Sequence, residues 1–219
     1  MKIQNGDILI QRICDASRSD EARSEDAYAL LQELFHGYPI LNLKALLDGG
    51  EVGAVEVGVW VLSELGGEAK PLLGRVDRLL EHPGRKVKYW AIDVVHSSAG
   101  VDDGKLIGKA FGLLEDTDIA VRRAALYFLA HASKQQLAAA IEQLGTSKLG
   151  ILLAWLSSAA DDASVQGMLS RIDDDDRIVR MVAVAAAVRI AGLGRPVLER
   201  AAALGDAEIS MFASRELGH

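Results

Sequence analysis

The sequence predicts an all-α fold in which pairs of helices repeat along a single domain and stack as a solenoid. Three observations carry this expectation. Apolar residues recur at helical spacing in one run after another, as in Val87, Trp90, Ala91, Val94 and Val95. The first strongly apolar position of each run falls at Tyr28, Val57, Val87, Val121, Leu149, Val179 and Ile209, a step of 28 to 34 residues. Half of the 219 residues are apolar but only 5% are aromatic, a balance that favours helices packed through small side chains.

Taken in chain order, residues 5–17 read as an N-terminal helix whose Gln11 and Arg12 suit the end of an array. Each unit that follows reads as a first helix, A, and a second, B. Pro39, Pro71 and Pro196 fall where B helices should start, at positions where a missing N–H is harmless and the fixed φ suits a first turn. The stretch EVGAVEVGVWVL at 51–62 is rich in β-branched residues, yet its place in the period predicts a helix. Leu106, Ile107, Ala110, Leu113 and Leu114 mark the apolar face of a B helix, and Val121, Ala124, Ala125, Phe128 and Leu129 that of the next A helix. Asp161 and Asp162 are expected in a turn within a repeat. Residues 207–219, with Arg215 and Glu216, are expected to close the array, leaving 24–206 as repeats and 1–23 as the N-terminal cap of one domain over 1–219.

Two stretches share a detailed pattern. In DTDIAVRRAALYFLA at 116–130 and DDRIVRMVAVAAAV at 175–188, Asp118, Val121, Arg122 and Ala125 align with Asp176, Val179, Arg180 and Ala183. Asp118, Asp176 and Asp206 each stand three residues ahead of an aligned Val or Ile, where a carboxylate accepts the free N–H groups of a new helix and opposes its positive end. This Asp-x-x-Val-Arg-x-x-Ala pattern at intervals near thirty resembles short HEAT-like repeats, which stack as a right-handed α-solenoid; about six to seven such helix pairs would fit here. Residues 115–144 and 173–204 match best, and Asp206 to Ala213 keeps the pattern with Ser210 in place of Arg. The resemblance spans roughly 24–217. It implies that Asp118, Arg122, Asp176 and Arg180 are structural residues joining neighbouring repeats.

Charge narrows the partners. The net charge is −7, and both 1–110, with 13 basic and 17 acidic groups, and 111–219, with 11 and 14, are mildly acidic. Affinity for a phosphate backbone needs clustered Lys and Arg, so nucleic acid is not an expected partner. Apolar runs such as MVAVAAAV at 181–188 are too short for a bilayer, the N-terminus lacks the apolar core of a secretory signal, and Cys14 is the single cysteine. A cytoplasmic, soluble protein without membrane association is the expectation.

No catalytic or cofactor motif stands out: the 21 glycines form no phosphate-binding loop, and no cofactor or metal is expected. The residues after His36, His82, His96 and His131 are not Glu, so HEAT-like iron hydroxylase chemistry has no ligands here. Trp60, Trp90 and Trp155 could suit a HEAT-like DNA glycosylase, but Trp60 and Trp90 share one register position, read as a buried seam, and the chain is acidic. Bilin lyases share the repeat architecture without any residue here selecting their chemistry.

The expected function is therefore a non-catalytic protein-protein interaction module or scaffold, one form of which is an immunity protein that neutralises a toxin. The candidate surfaces are an acidic edge, Asp116, Asp118, Asp173, Asp174, Asp175 and Asp176, that would attract a basic protein, and a basic patch on consecutive B helices, Arg75, Arg78, Lys105 and Lys109. The contrasting reading is an enzyme with a pocket in the concave groove served by His96 or His131. Replacing Asp118 or Asp176 with Ala is expected to destabilise the fold by about 1 kcal/mol, measured by urea unfolding, because each is read as a helix cap.

Overall fold

The structure, a computed structural model, describes residues 4–158 and 162–218, except for the side chains of 162–164 and 191; Asp161 and His219 lie outside them. The chain is all-α, and its contacts group it into two compact units, Met1–Ala99 and Gly100–His219. In the first are α1 (Asn5–Cys14), α2 (Asp20–Phe35), α3 (Lys44–Leu47), α4 (Val52–Glu64), α5 (Leu73–Leu79) and α6 (Arg85–Ser98). The second holds α7 (Gly104–Gly112), α8 (Ile119–His131), α9 (Lys134–Leu144), α10 (Lys148–Ser158), α11 (Asp162–Ile172), α12 (Arg177–Arg189), α13 (Arg195–Ala202) and α14 (Ala207–Glu216). Even-numbered helices are the A helices and odd-numbered ones from α3 are the B helices. Among the described residues, α2/α3 and α4/α5 form A/B pairs in the first unit, and α8/α9, α10/α11 and α12/α13 do so in the second.

The β-branched stretch at 51–62 is helical, as its place in the period requires. Proline punctuation holds with one refinement: α3, α5, α7 and α13 each open through a tight 3-10 turn. Pro39 precedes the 3-10 turn Ile40–Leu43 ahead of α3, Pro71 lies in the turn Gly66–Leu72 ahead of α5, and Pro196 sits in the first turn of α13.

In the first unit, α1 packs on α2, α3 and α4, while α2 packs on α4 and α4 on α6. Gly6 lets α1 approach the Tyr38 ring: a Cβ there would stand 2.6 Å from ring carbons. Tyr38 donates a 2.6 Å hydrogen bond to Asp7, and buried Asp26 receives Arg12 at 2.8 Å and Arg18 at 2.7 Å. The N-terminal helix is thus fastened by ring packing and charge-assisted bonds on a small interface.

The second unit is built around α12. From Met181 to Ala187 every residue is buried, which its run of Ala and Val permits because neighbouring helices can approach closely on all sides. It packs against α8, α10, α11, α13 and α14. A regular stack would set each A helix against the next; here α12 reaches α8 directly, past the repeat of α10 and α11. That repeat also lacks the Asp/Arg signature: Ser147 stands where an Asp would cap α10, and Ile151, at the arginine position, is exposed.

The shared motif has one geometry at both sites. Asp118 Oδ1 accepts the N–H groups of Ala120 and Val121, and Asp176 Oδ1 that of Ile178, as predicted for N-caps. Asp206 caps α14 in the same way. The arginine four residues on turns back to the carbonyls before its own cap: Arg122 Nη1 donates to Asp116 and Thr117, and Arg180 Nη1 to Asp174 and Asp175. Each then reaches another helix start. Arg180 meets Asp206 of the next repeat at 3.3 Å, whereas Arg122 skips to Glu208, 86 residues away, at 2.8 Å. Arg177 also binds Asp206 and Glu208. Burial pushes the Asp206 carboxyl up, but its bonds from Arg177 and from backbone N–H groups outweigh this and hold it below the usual carboxylate range.

At the far end of α8, Arg189 of α12 donates to the carbonyls of Leu129, Ala130 and Ala132. The α8 and α12 helices therefore run side by side in the same direction, tied at both ends. These bonds satisfy carbonyls that the end of a helix leaves without partners.

Two outcomes are expected. Glu208 is 3% exposed between Arg122 and Arg177, so Glu208→Ala leaves Arg122 without its carboxylate and Arg177 with Asp206 alone; denaturant unfolding should show a loss of about 3 kcal/mol. Burial, and next the bond to Asp7, push the Tyr38 phenol up to about 12 from an ordinary value near 10. The neutral ring is the form the fold favours, so its contribution is whole below pH ~10 and is lost as pH rises through about 12. Stability measured across that window should fall less steeply in Tyr38→Phe.

Candidate protein-binding groove

The residues expected at an acidic edge are largely engaged within the fold. Asp118 and Asp176 are caps, Asp116 Oδ1 accepts the N–H of Asp118, and Asp174 Oδ1 accepts that of Asp176. Asp173 pairs with Arg200 at 2.9 Å, and Asp176 also binds Lys148, whose ammonium is the main cause holding the Asp176 carboxyl below the usual range. Asp175 is exposed and uses its backbone carbonyl for Arg180.

The expected basic residues divide between the units. Arg75 and Arg78 lie on α5, where both bind Asp48 and Arg78 also donates to the carbonyl of Leu47; they close the end of α3. Lys105 and Lys109 lie on α7 of the second unit, Lys105 exposed and Lys109 half-buried.

His96 is half-buried near the end of α6. His131 ends α8: its Nδ1 donates to the Tyr127 carbonyl at 2.9 Å, its ring stacks on Tyr127 at 4.3 Å, and its Nε2 stands 3.8 Å from Glu216. An imidazole at a helix C-terminus is favoured there without any catalytic duty. Among the described residues no three His, Cys, Asp or Glu side chains form a group able to hold a metal, and no helix is long and apolar enough to cross a membrane.

A groove lies elsewhere, on the A helices of the first unit. Three helices, α2, α4 and α6, border a groove of about 310 Å³ lined by Tyr28, Trp60 and Trp90, with Ser24, Ala27, Glu56, Val57 and Lys86 around them. The Tyr28 ring is 62% exposed and stands edge-on to Trp60, centroids 4.9 Å apart; Trp90 is likewise braced edge-on by Tyr89 at 4.8 Å. These pairings hold the rings in place while leaving faces open. At one end Lys86 reaches from α6 to Glu56 on α4 at 3.1 Å, so these two charges cancel. Among the described residues no protein acceptor takes the indole N–H of Trp60 or Trp90, so both donors face solvent.

This corrects the expectation that Trp60 and Trp90 form a buried seam. Both are half-buried and line the groove. The buried stripe of α4 runs instead through Ala54, Val55, Gly58, Val59, Val61 and Leu62. Since α4 is apolar nearly all round, periodicity alone did not separate its two faces. A usable signal was present: Ser24, Glu56 and Lys86 each stand four residues before Tyr28, Trp60 and Trp90, and residues at that spacing share a helix face. Trp155, by contrast, lies on α10 beneath the Arg171 guanidinium, 4.2 Å from its ring centre.

No family model matches the chain, and no curated protein matches it. Among solved structures it is similar to an engineered protein known from its crystal structure, with a TM-score of 0.53 at 16% identity over 99% of this chain and 96% of that one. It also matches a designed armadillo repeat protein solved in complex with the peptide (KR)4, with a TM-score of 0.49 at 15% identity over 98% of this chain and 99% of that one. Likeness at such identity bears on the fold, and the chain is an all-α helical-repeat protein.

Proposed function

We propose that this protein is a non-catalytic protein-binding module whose recognition surface is the groove across α2, α4 and α6. One observation carries the reading: successive A helices present Tyr28, Trp60 and Trp90 side by side, with open ring faces and two unpaired indole donors. Large aromatic rings lose little conformational entropy when covered, and Trp and Tyr are prominent among residues that dominate binding energy. A volume near 310 Å³ suits a few side chains of an extended segment, whose carbonyls the indole N–H groups could meet. The HEAT-like character of the repeats and a cytoplasmic setting belong to the same reading. Neutralising a toxin would be one biological use of such a surface.

The test is selection from a displayed random-peptide library on the intact protein, followed by affinity measurement for enriched sequences. Trp60→Ala and Trp90→Ala should each weaken binding by roughly thirtyfold or more, the scale of a hot-spot residue. Asp175→Asn, in the other unit, should leave it unchanged. Failure to enrich any sequence, or equal binding by the tryptophan variants with circular dichroism unchanged, would overturn the reading.

A further inference from the structure

One end of the groove is electrically closed by Glu56 and Lys86; the other is not. Along α4 the residue four past Trp60 is Glu64, and along α6 the residue three past Trp90 is Asp93, so both carboxylates continue the stripes that carry the indoles. Glu64 is exposed and Asp93 half-buried. Among the described residues neither carboxylate has an ion pair or a side-chain hydrogen bond. They stand close enough that, after burial, the negative charge of Glu64 is the cause that pushes the Asp93 carboxyl above its usual range. Glu64 is also the last residue of α4, where the helix C-terminus adds partial negative charge of its own.

Two like charges and a helix end, about one turn past the indoles on α4 and α6, repel each other, and no ion pair to either is present among the described residues. A cation supplied from outside would relieve that repulsion. Lys and Arg meet both parts of the surface, with an apolar stem that lies along indole and a charged head that is attracted to ring faces and carboxylates.

We propose that the groove recognises a Lys or Arg side chain on an extended segment of a partner protein, with its stem across Trp60 and Trp90 and its charged head between Glu64 and Asp93. This rests on the protein-binding reading of the groove. It places the attraction for a basic partner on α4 and α6, away from the caps Asp118 and Asp176.

The probe is a short dye-labelled peptide alternating glycine and lysine, compared with the same peptide carrying acetyl-lysine and with a glycine–glutamate version, by fluorescence anisotropy on the intact protein. The lysine peptide should bind at least tenfold more tightly than its acetylated form, with affinity falling as salt rises. Glu64→Gln with Asp93→Asn should remove that preference, while Asp173→Asn, equally acidic but on another unit, should not. Both variants keep the size of the side chain, and circular dichroism checks their fold. If library-selected peptides need Trp60 and Trp90 but are neutral or acidic and indifferent to the double variant, the lysine assignment falls and the groove stands. If lysine and acetyl-lysine peptides bind alike, the assignment falls as well. Indifference of every peptide to the tryptophan variants would remove the groove reading and this one together.

Discussion

Each A helix of this protein begins with a debt of N–H groups that have no helical partner, and the second unit is organised by how that debt is met. An aspartate takes the first donors, and an arginine one turn later folds back over the carbonyls that lead into the cap. Having fixed the local turn, the guanidinium still has donors to spare, and these find a carboxylate at another helix start. Local closure of the turn and long-range docking are therefore performed by one guanidinium group. An arginine suits this where lysine would not, since its planar fork can serve a backbone and a carboxylate at once. The first unit repeats the device with other residues: Ser19 caps α2, and Arg23, four residues on, reaches both the Asp15 carbonyl and Glu51, the cap of α4.

How far sequence alone could reach follows from this chemistry. Helix starts were legible because an Asp ahead of an apolar run has few other duties, and the pairing of helices followed from proline and period. The partner of Arg122 was not legible, because nothing local points from residue 122 to Glu208. Periodicity sees neighbours along the chain and cannot see that the repeat of α10 and α11 is passed over. The same limit hid the groove. On a helix such as α4, apolar on nearly every side, the pattern does not say which large residue is enclosed and which is offered to solvent, and a tryptophan serves either role equally well.

The groove and the arginine layer show two fates for charge in one acidic chain. In the second unit the carboxylates of the inter-repeat turns are drawn into caps and arginine pairs, so their number overstates the negative field they offer. In the first, Glu64 and Asp93 are few, and they follow Trp60 and Trp90 by about one turn on the same helices. A small uncompensated charge next to apolar surface is a more specific signal to a partner than a large one already answered from within.

The span from Arg122 to Glu208 also bears on how the protein is made. The second unit cannot close its polar layer until α14 has been synthesised, because that helix supplies the carboxylates that Arg122, Arg177 and Arg180 share. Until then α12 has its Ala and Val faces bare on one side, a stretch of apolar helix waiting on the ribosome for its cover. Helix α14 is thus less an end cap than a latch, and until it docks α12 is open to misassociation.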